Sequence, residues 1–175
     1  PTTLHHARNT PRDEAVGGPL RIDGGGGATL RLPQVGVPLG GISRLFLAHL
    51  HSDHVIQIPD LLLTGWVGAG RRVPLEVWGP QGTRHMMDHI QHSFAFDLHL
   101  RRDVDEKPPA DGIKVVCHDI KQGNVFDEQG VRDTHDRFVH TPITPTFGHT
   151  VPYRCHSVVF SRSLSVLVTF VGVST

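Results

Sequence analysis

The chain has 175 residues, enough for one domain with a sizeable core, and its 17 basic and 17 acidic side chains cancel. No net field therefore marks it for a polyanion or an anionic membrane. Its two cysteines, Cys117 and Cys155, form neither a C-x-x-C pair nor a disulfide framework, which points to a reducing, cytoplasmic setting.

In chain order, residues 1–20 show no period and are expected as loop, with no basic-then-apolar leader among them. "LRID" predicts a strand end running into the glycine turn 24–27. "ATLRLPQVGV" has the makings of a helix that Pro33 would break. "RLFLAHL" (44–50) predicts a short buried strand, and "VIQIPDLLLTGWVGAG" (55–70) a helix that starts around Pro59 and stops at Gly68 and Gly70. "PLEVWG" (74–79) predicts a strand. "TRHMMDHIQHSFAF" (83–96) has helical spacing, with Met86, Met87, Ile90 and Phe94 on the apolar face. "GIKVVCHDI" (112–120) and "HSVVFS" (156–161) predict strands. The apolar run 164–173 is well short of the roughly 18–20 residues of a membrane span. Strands alternating with helices define an α/β class or a layered αββα arrangement, and with no repeat or linker in the chain one domain over 1–175 is expected.

The chemistry concentrates where the strand at 44–50 ends. His49, His51, Asp53 and His54 fall within six residues, and imidazoles and carboxylates at the end of a buried strand call for a partner that takes nitrogen and oxygen lone pairs together, a metal ion. A two-residue spacing on an extended segment sends His49 and His51 to one side. Asp53 and His54 follow at the turn into the next helix, which suits a second, neighbouring ion. The other histidines, 14 in all, carry weaker patterns: His85, His89 and His92 lie at i, i+4 and i+7 and are expected as a solvated helix face, and Cys155-His156 as structural. The glycine run lacks the G-x-x-x-x-G-K-[ST] and G-x-G-x-x-G patterns and is expected as a tight turn, and the absence of G-x-S-x-G disfavours a serine hydrolase.

"HLHSDH" resembles the H-x-H-x-D-H signature of the metallo-β-lactamase superfamily. The likeness extends on both sides: "IDGGGGATLRL" is similar to the family's D-x-G turn, with Asp23 as its buried aspartate, and "PLEVWGPQGT" to the strand and Gly-Pro turn of the ribonuclease Z and arylsulfatase-like branch. "VHTPITPTFGHTVPY" resembles the segment whose histidine is the third ligand of the first metal, which falls on His140. The resemblance covers roughly residues 20–161. It implies a metallo-β-lactamase αββα sandwich, incomplete at the C-terminus, that holds one or two zinc ions through His49, His51, Asp53, His54 and His140. Asp53 would also take part in proton transfer. The implied activity is hydrolysis of a phosphodiester, such as the 3′ end of a tRNA precursor, or of a small-molecule ester of the arylsulfatase type; lactonase and thioesterase activities share the motif, and a homodimer is among the expected assemblies.

The departures are as specific as the likeness. Ser163 stands where the family's metal-bridging aspartate is expected, no carboxylate follows Asp136 and no histidine follows His156. Gln57 replaces a usual glycine, His149 a usual tyrosine, "VRDTHDRF" (131–138) fits poorly as the strand before the third histidine, and 162–175 diverges. At most one tightly held zinc is therefore expected, with hydrolysis impaired or absent. A second reading, of another class, is a truncated or frameshifted non-catalytic remnant that binds one metal at most. A metal transport or storage role for the surface histidines is a distant third.

Overall fold

The computed structural model describes residues 20–120 and, beyond them, the strand segments 123–128, 131–140, 143–153, 156–160 and 166–168; residues 20–22 and those segments are described as backbone. Strand β1 (Leu20–Ile22) leads through the glycine turn into helix α1 (Ala28–Gln34), and a 3₁₀ turn at Leu39–Gly41 leads to β2 (Arg44–Phe46). After one helical turn, α2 (Ser52–Val55), come α3 (Ile58–Trp66), β3 (Leu75–Gly79), α4 (Thr83–Ser93), α5 (Ala95–His99) and β4 (Val115–Asp119). The remaining strands are β5 (Gly123–Glu128), β6 (Val131–His140), β7 (Ile143–Tyr153), β8 (His156–Phe160) and β9 (Val166–Val168).

They form two sheets. The first runs β4-β3-β2-β1-β9, with β1 to β4 parallel and β9 antiparallel to β1; the second is the antiparallel β5-β6-β7-β8. Parallel strands joined by helices are the α/β architecture that the alternation of elements predicts.

Alternation along the parallel strands gives the first sheet two different faces. Leu45, Leu47, Leu75, Val77 and Cys117 pack with Ile58, Leu62 and Trp66 of α3, Met87 of α4 and Ile113. Burying a leucine of this kind contributes about 1.5–3 kcal/mol. On the opposite face, Phe46, Trp78 and His118 stack in register across β2, β3 and β4, at centroid distances of 4.7 and 4.6 Å. A second cluster, Leu32, Val37, Leu39, Ile42 and Leu61, fixes α1 and the 3₁₀ turn against α3.

Four segments differ from their sequence expectations. Pro33 lies inside α1 but in its last turn, so the helix ends one residue later instead of failing. The helix predicted over 83–96 breaks at Phe94 (φ −105°), which stands between α4 and α5; Phe94 is at the margin of the surface and Phe96 beyond it is 82 % exposed. "VRDTHDRF" is ordinary strand, because β6 pairs with β5 on one side and β7 on the other. Within the divergent 162–175, residues 166–168 form β9; Ser161, Ser163, Cys155 and residues 1–19 lie outside the described residues.

Arg71, unremarked in the sequence, is fully buried. Its guanidinium donates to the carbonyls of Leu61 (3.3 Å), Leu62 (2.7 Å) and Gly112 (3.0 Å), and burial lowers its pKa to about 10. The negative end of the α3 dipole compensates the cation where, among the described residues, no carboxylate pairs with it.

Candidate metal centre

The site begins where β2 runs out. Leu47 still donates to the Trp78 carbonyl (2.8 Å), but the next amide, Ala48 N–H, turns to a side chain and donates to Asp23 Oδ1 at 2.9 Å. Asp23 follows β1, the neighbouring strand. Its φ of +58° is costly for a residue with a Cβ, though aspartate tolerates it better than most. Contacts hold it there: its own N–H donates to the Phe46 carbonyl (2.8 Å), Oδ1 accepts from Ala48, and Oδ2 accepts from His54 Nδ1 at 2.6 Å.

The glycine run then docks on the metal motif. Gly24 donates to the His54 carbonyl (2.6 Å) and accepts from Gln57 N–H (2.9 Å). A Cβ at Gly24 would lie 2.6 Å from Ile58 Cγ1, so this close approach needs glycine. The tight-turn expectation is met, and the turn also seats α2. Gln57, which stands in for a usual glycine, accepts from Thr29 N–H at 3.3 Å through its side chain and ties α3 to α1. Thr29 Oγ1 bonds Asp60 in the same junction.

Three imidazoles meet at this point. His49 is 1 % exposed and His54 4 %. His51 is exposed at the residue that precedes α2, and its carbonyl accepts from His54 N–H (2.9 Å). The His49 ring lies 4.9 Å from that of His51 and 4.1 Å from that of His54, centroid to centroid. Asp53 projects outward, its side chain 76 % exposed, with Oδ2 3.5 Å from His54 Nε2.

Asp23 sets the chemistry of His54. A carboxylate accepts and does not donate, so His54 carries its proton on Nδ1 and leaves Nε2 on the side of Asp53. That is the arrangement by which an outer carboxylate orients a ligand imidazole and raises its basicity. The His54 pKa is raised, first by the Asp23 hydrogen bond, against the opposing effect of burial and with help from the charges of Asp23 and Asp53.

The sequence-predicted residues thus separate into two groups. His49, His51, Asp53 and His54 are neighbours. His140 is the last residue of β6, its backbone in register with Ile143 across the β6–β7 hairpin, and the placement of its side chain lies outside the described residues. Among the described residues no group of three or more His, Cys, Asp or Glu side chains is arranged so that it could hold a metal ion. The donor set nonetheless suits zinc: two buried imidazoles, one of them oriented through its Nδ1, a third at the rim, and an accessible carboxylate. The link from Asp23 to His54 was not foreseen from the residues, and its signal is the aspartate immediately before the glycine run.

A parallel sheet with helices on one face, an antiparallel second sheet and a histidine-aspartate cluster at the end of the second strand are features of a known class. In the crystal structure of the short form of human tRNase Z the match covers 80 % of this chain and 56 % of that one, with a TM-score of 0.57 at 22 % identity. The MIM-2 metallo-β-lactamase matches over 86 % of this chain and 52 % of that one, at TM-score 0.53 and 19 % identity, and the metallo-β-lactamase fold protein YhfI of Bacillus subtilis over 80 % and 49 %, at 0.53 and 16 %. The fold is that of the metallo-β-lactamases.

Sequence narrows the branch. The chain is 34 % identical over 152 residues to the ribonuclease Z of Mycobacterium sp. (strain KMS), a match of 84 % of this chain and 52 % of the relative, and 34 % identical over 146 residues to that of Mycobacterium marinum, 80 % and 50 %. No protein-family model matches. The chain belongs to the metallo-β-lactamase superfamily, in its ribonuclease Z branch, and it spans about half the length of the curated relatives it matches.

Proposed function

We propose that this chain carries the metal-binding half of a zinc-dependent phosphodiesterase of the ribonuclease Z type, acting on the 3′ end of a tRNA precursor. The observation that supports the reading best is the cluster of His49, His51 and His54 beside Asp53 at the end of β2, in a chain 34 % identical to a ribonuclease Z.

His49 and His51, with His140 as the third imidazole, would hold one zinc, and Asp53 and His54 would hold a weaker second. Bound zinc supplies a Lewis acid for the phosphoryl oxygen and a water of near-neutral pKa. The protein's own groups do the rest. Asp23 keeps His54 Nδ1 protonated and its ring fixed, and burial keeps bulk water from the His49 and His54 imidazoles. Asp53, exposed and next to His54 Nε2, is placed to exchange a proton with solvent at Oδ2.

One observation favours a small ester as the substrate. Two exposed-segment arginines that could grip a nucleic-acid backbone are neutralised within their own segment: Arg101 pairs with Asp97 (2.9 Å) and Glu106 (2.7 Å), and Arg102 with Asp103 (2.7 Å). Binding to RNA is steeply salt-dependent where free cations contact phosphates. The test is cleavage of a 3′-extended tRNA precursor against hydrolysis of bis(p-nitrophenyl) phosphate, each with added zinc and over a salt series. Precursor cleavage lost in His49→Ala supports the ribonuclease reading, and ester hydrolysis alone, insensitive to salt, supports the small-ester one. No turnover of either substrate in zinc-loaded protein would overturn both.

Among the described residues no helix is long and apolar enough to cross a membrane.

A further inference from the structure

Helix α4 carries an H-x-x-x-H spacing, His85 and His89, with His92 almost a turn further on. The site at 49–54 uses none of the three. Residues four apart on a helix share a face, and their side chains lean back over the preceding turn, so one imidazole is laid toward the other. All three histidines are exposed. The rings of His85 and His89 lie 4.2 Å apart, centroid to centroid, inclined at 52°, whereas His89 and His92 are 6.4 Å apart.

The hydrogen bonds decide which nitrogen faces out. His89 Nδ1 lies 2.8 Å from the His85 carbonyl and His92 Nδ1 2.7 Å from the Asp88 carbonyl. A carbonyl only accepts, so both rings carry the proton on Nδ1 and present Nε2 as a lone pair. An imidazole whose other nitrogen is held by a carbonyl is in ligand form before any metal arrives.

We propose that His85 and His89 form a two-point chelate for a borderline divalent cation such as zinc, nickel or copper, separate from the ligands at 49–54. The same i, i+4 geometry places two histidines on one metal in helical zinc motifs. Because no group of three or more potential ligands converges among the described residues, water completes the shell. The site is open and exchangeable, and imidazole nitrogen selects copper, nickel and zinc over magnesium and calcium. Occupancy staples α4, which is seated on the core through Met87 and tied to the neighbouring chain by Arg84 to the Cys117 carbonyl (2.7 Å) and Gln91 to the Ile113 carbonyl (3.1 Å).

The test uses the full chain, isotope-labelled and given one equivalent of zinc, then titrated with copper(II) while the α4 resonances are followed by NMR. Paramagnetic broadening reaches His85 and His89 together at low copper. His85→Ala and His89→Ala each weaken the effect by at least about tenfold, the lower bound for losing even an outer partner of a metal ligand. His92→Ala leaves it within about a factor of two, as a residue outside the chelate should. All three side chains are on the solvent face, so Met87 stays packed in each variant. Persistence of the His85 and His89 signals in excess copper overturns the proposal. So does an effect that survives His85→Ala, or one that His92→Ala weakens as much as His89→Ala does.

Discussion

Replacing Asp23 by asparagine separates the two tasks this residue performs. Asparagine keeps the shape and one acceptor oxygen, so Ala48 N–H retains its partner. Opposite His54 Nδ1, however, an NH₂ now faces an N–H. Relief comes when His54 moves its proton to Nε2, and the atom beside Asp53 then loses its lone pair. A charge-assisted hydrogen bond of about 1.5–3 kcal/mol gives way to a neutral one of about 0.5–1.5, so unfolding free energy falls by only about 1–1.5 kcal/mol. Zinc affinity falls about 10–100-fold, the usual cost of losing an outer ligand partner. Asp23→Ala goes further: it leaves Ala48 N–H buried without its acceptor, about 1–3 kcal/mol, and asks alanine to hold a φ of +58°, about 1–2 more. Urea unfolding of the metal-free proteins and zinc competition against a chromogenic chelator measure the two effects. If Asp23→Asn binds zinc as wild type does while Asp23→Ala is merely less stable, Asp23 is a structural residue and its orientation of His54 is refuted.

Three further outcomes follow from the packing. Arg71→Met removes a buried guanidinium from three carbonyls and lowers unfolding free energy by about 2–4 kcal/mol; an unchanged urea midpoint would show that the latch carries no stability. Gly24→Ala drives a methyl to 2.6 Å from the fully buried Ile58 and costs about 1–3 kcal/mol by overpacking, again read from the urea midpoint. Burial pushes the Cys117 thiol up, so Cys117 stays unalkylated by iodoacetamide at pH 8 in the native protein and reacts on unfolding; site-resolved mass spectrometry showing rapid native labelling would contradict its place in the core.

The clustering of His49, His51, Asp53 and His54 was legible because imidazoles and carboxylates are unusual at the end of a buried strand, and the structure makes them neighbours. The helices at 58–66 and 83–93 were legible from apolar spacing and from Pro59, which stands at the start of α3. What escaped depends on contacts between distant segments. No local signal breaks a helix at Phe94, and none says that "VRDTHDRF" becomes strand once partners flank it on both sides. Nothing in "GRRVP" singles out Arg71, and its burial follows from the carbonyls that α3 and the turn at 110–113 present to it. Asp23 was visible as a motif member, but its bond to His54 spans 31 residues and belongs to the fold.

The most direct test of the central claim is zinc content per chain by elemental analysis, after dialysis against a weak chelator that strips exchangeable surface ions. The protein is compared with a His49→Ala, His51→Ala double variant of matched secondary structure. Near one equivalent in the protein and almost none in the variant is the predicted result. Equal zinc in both, or none in either, would contradict a metal centre built on residues 49–54.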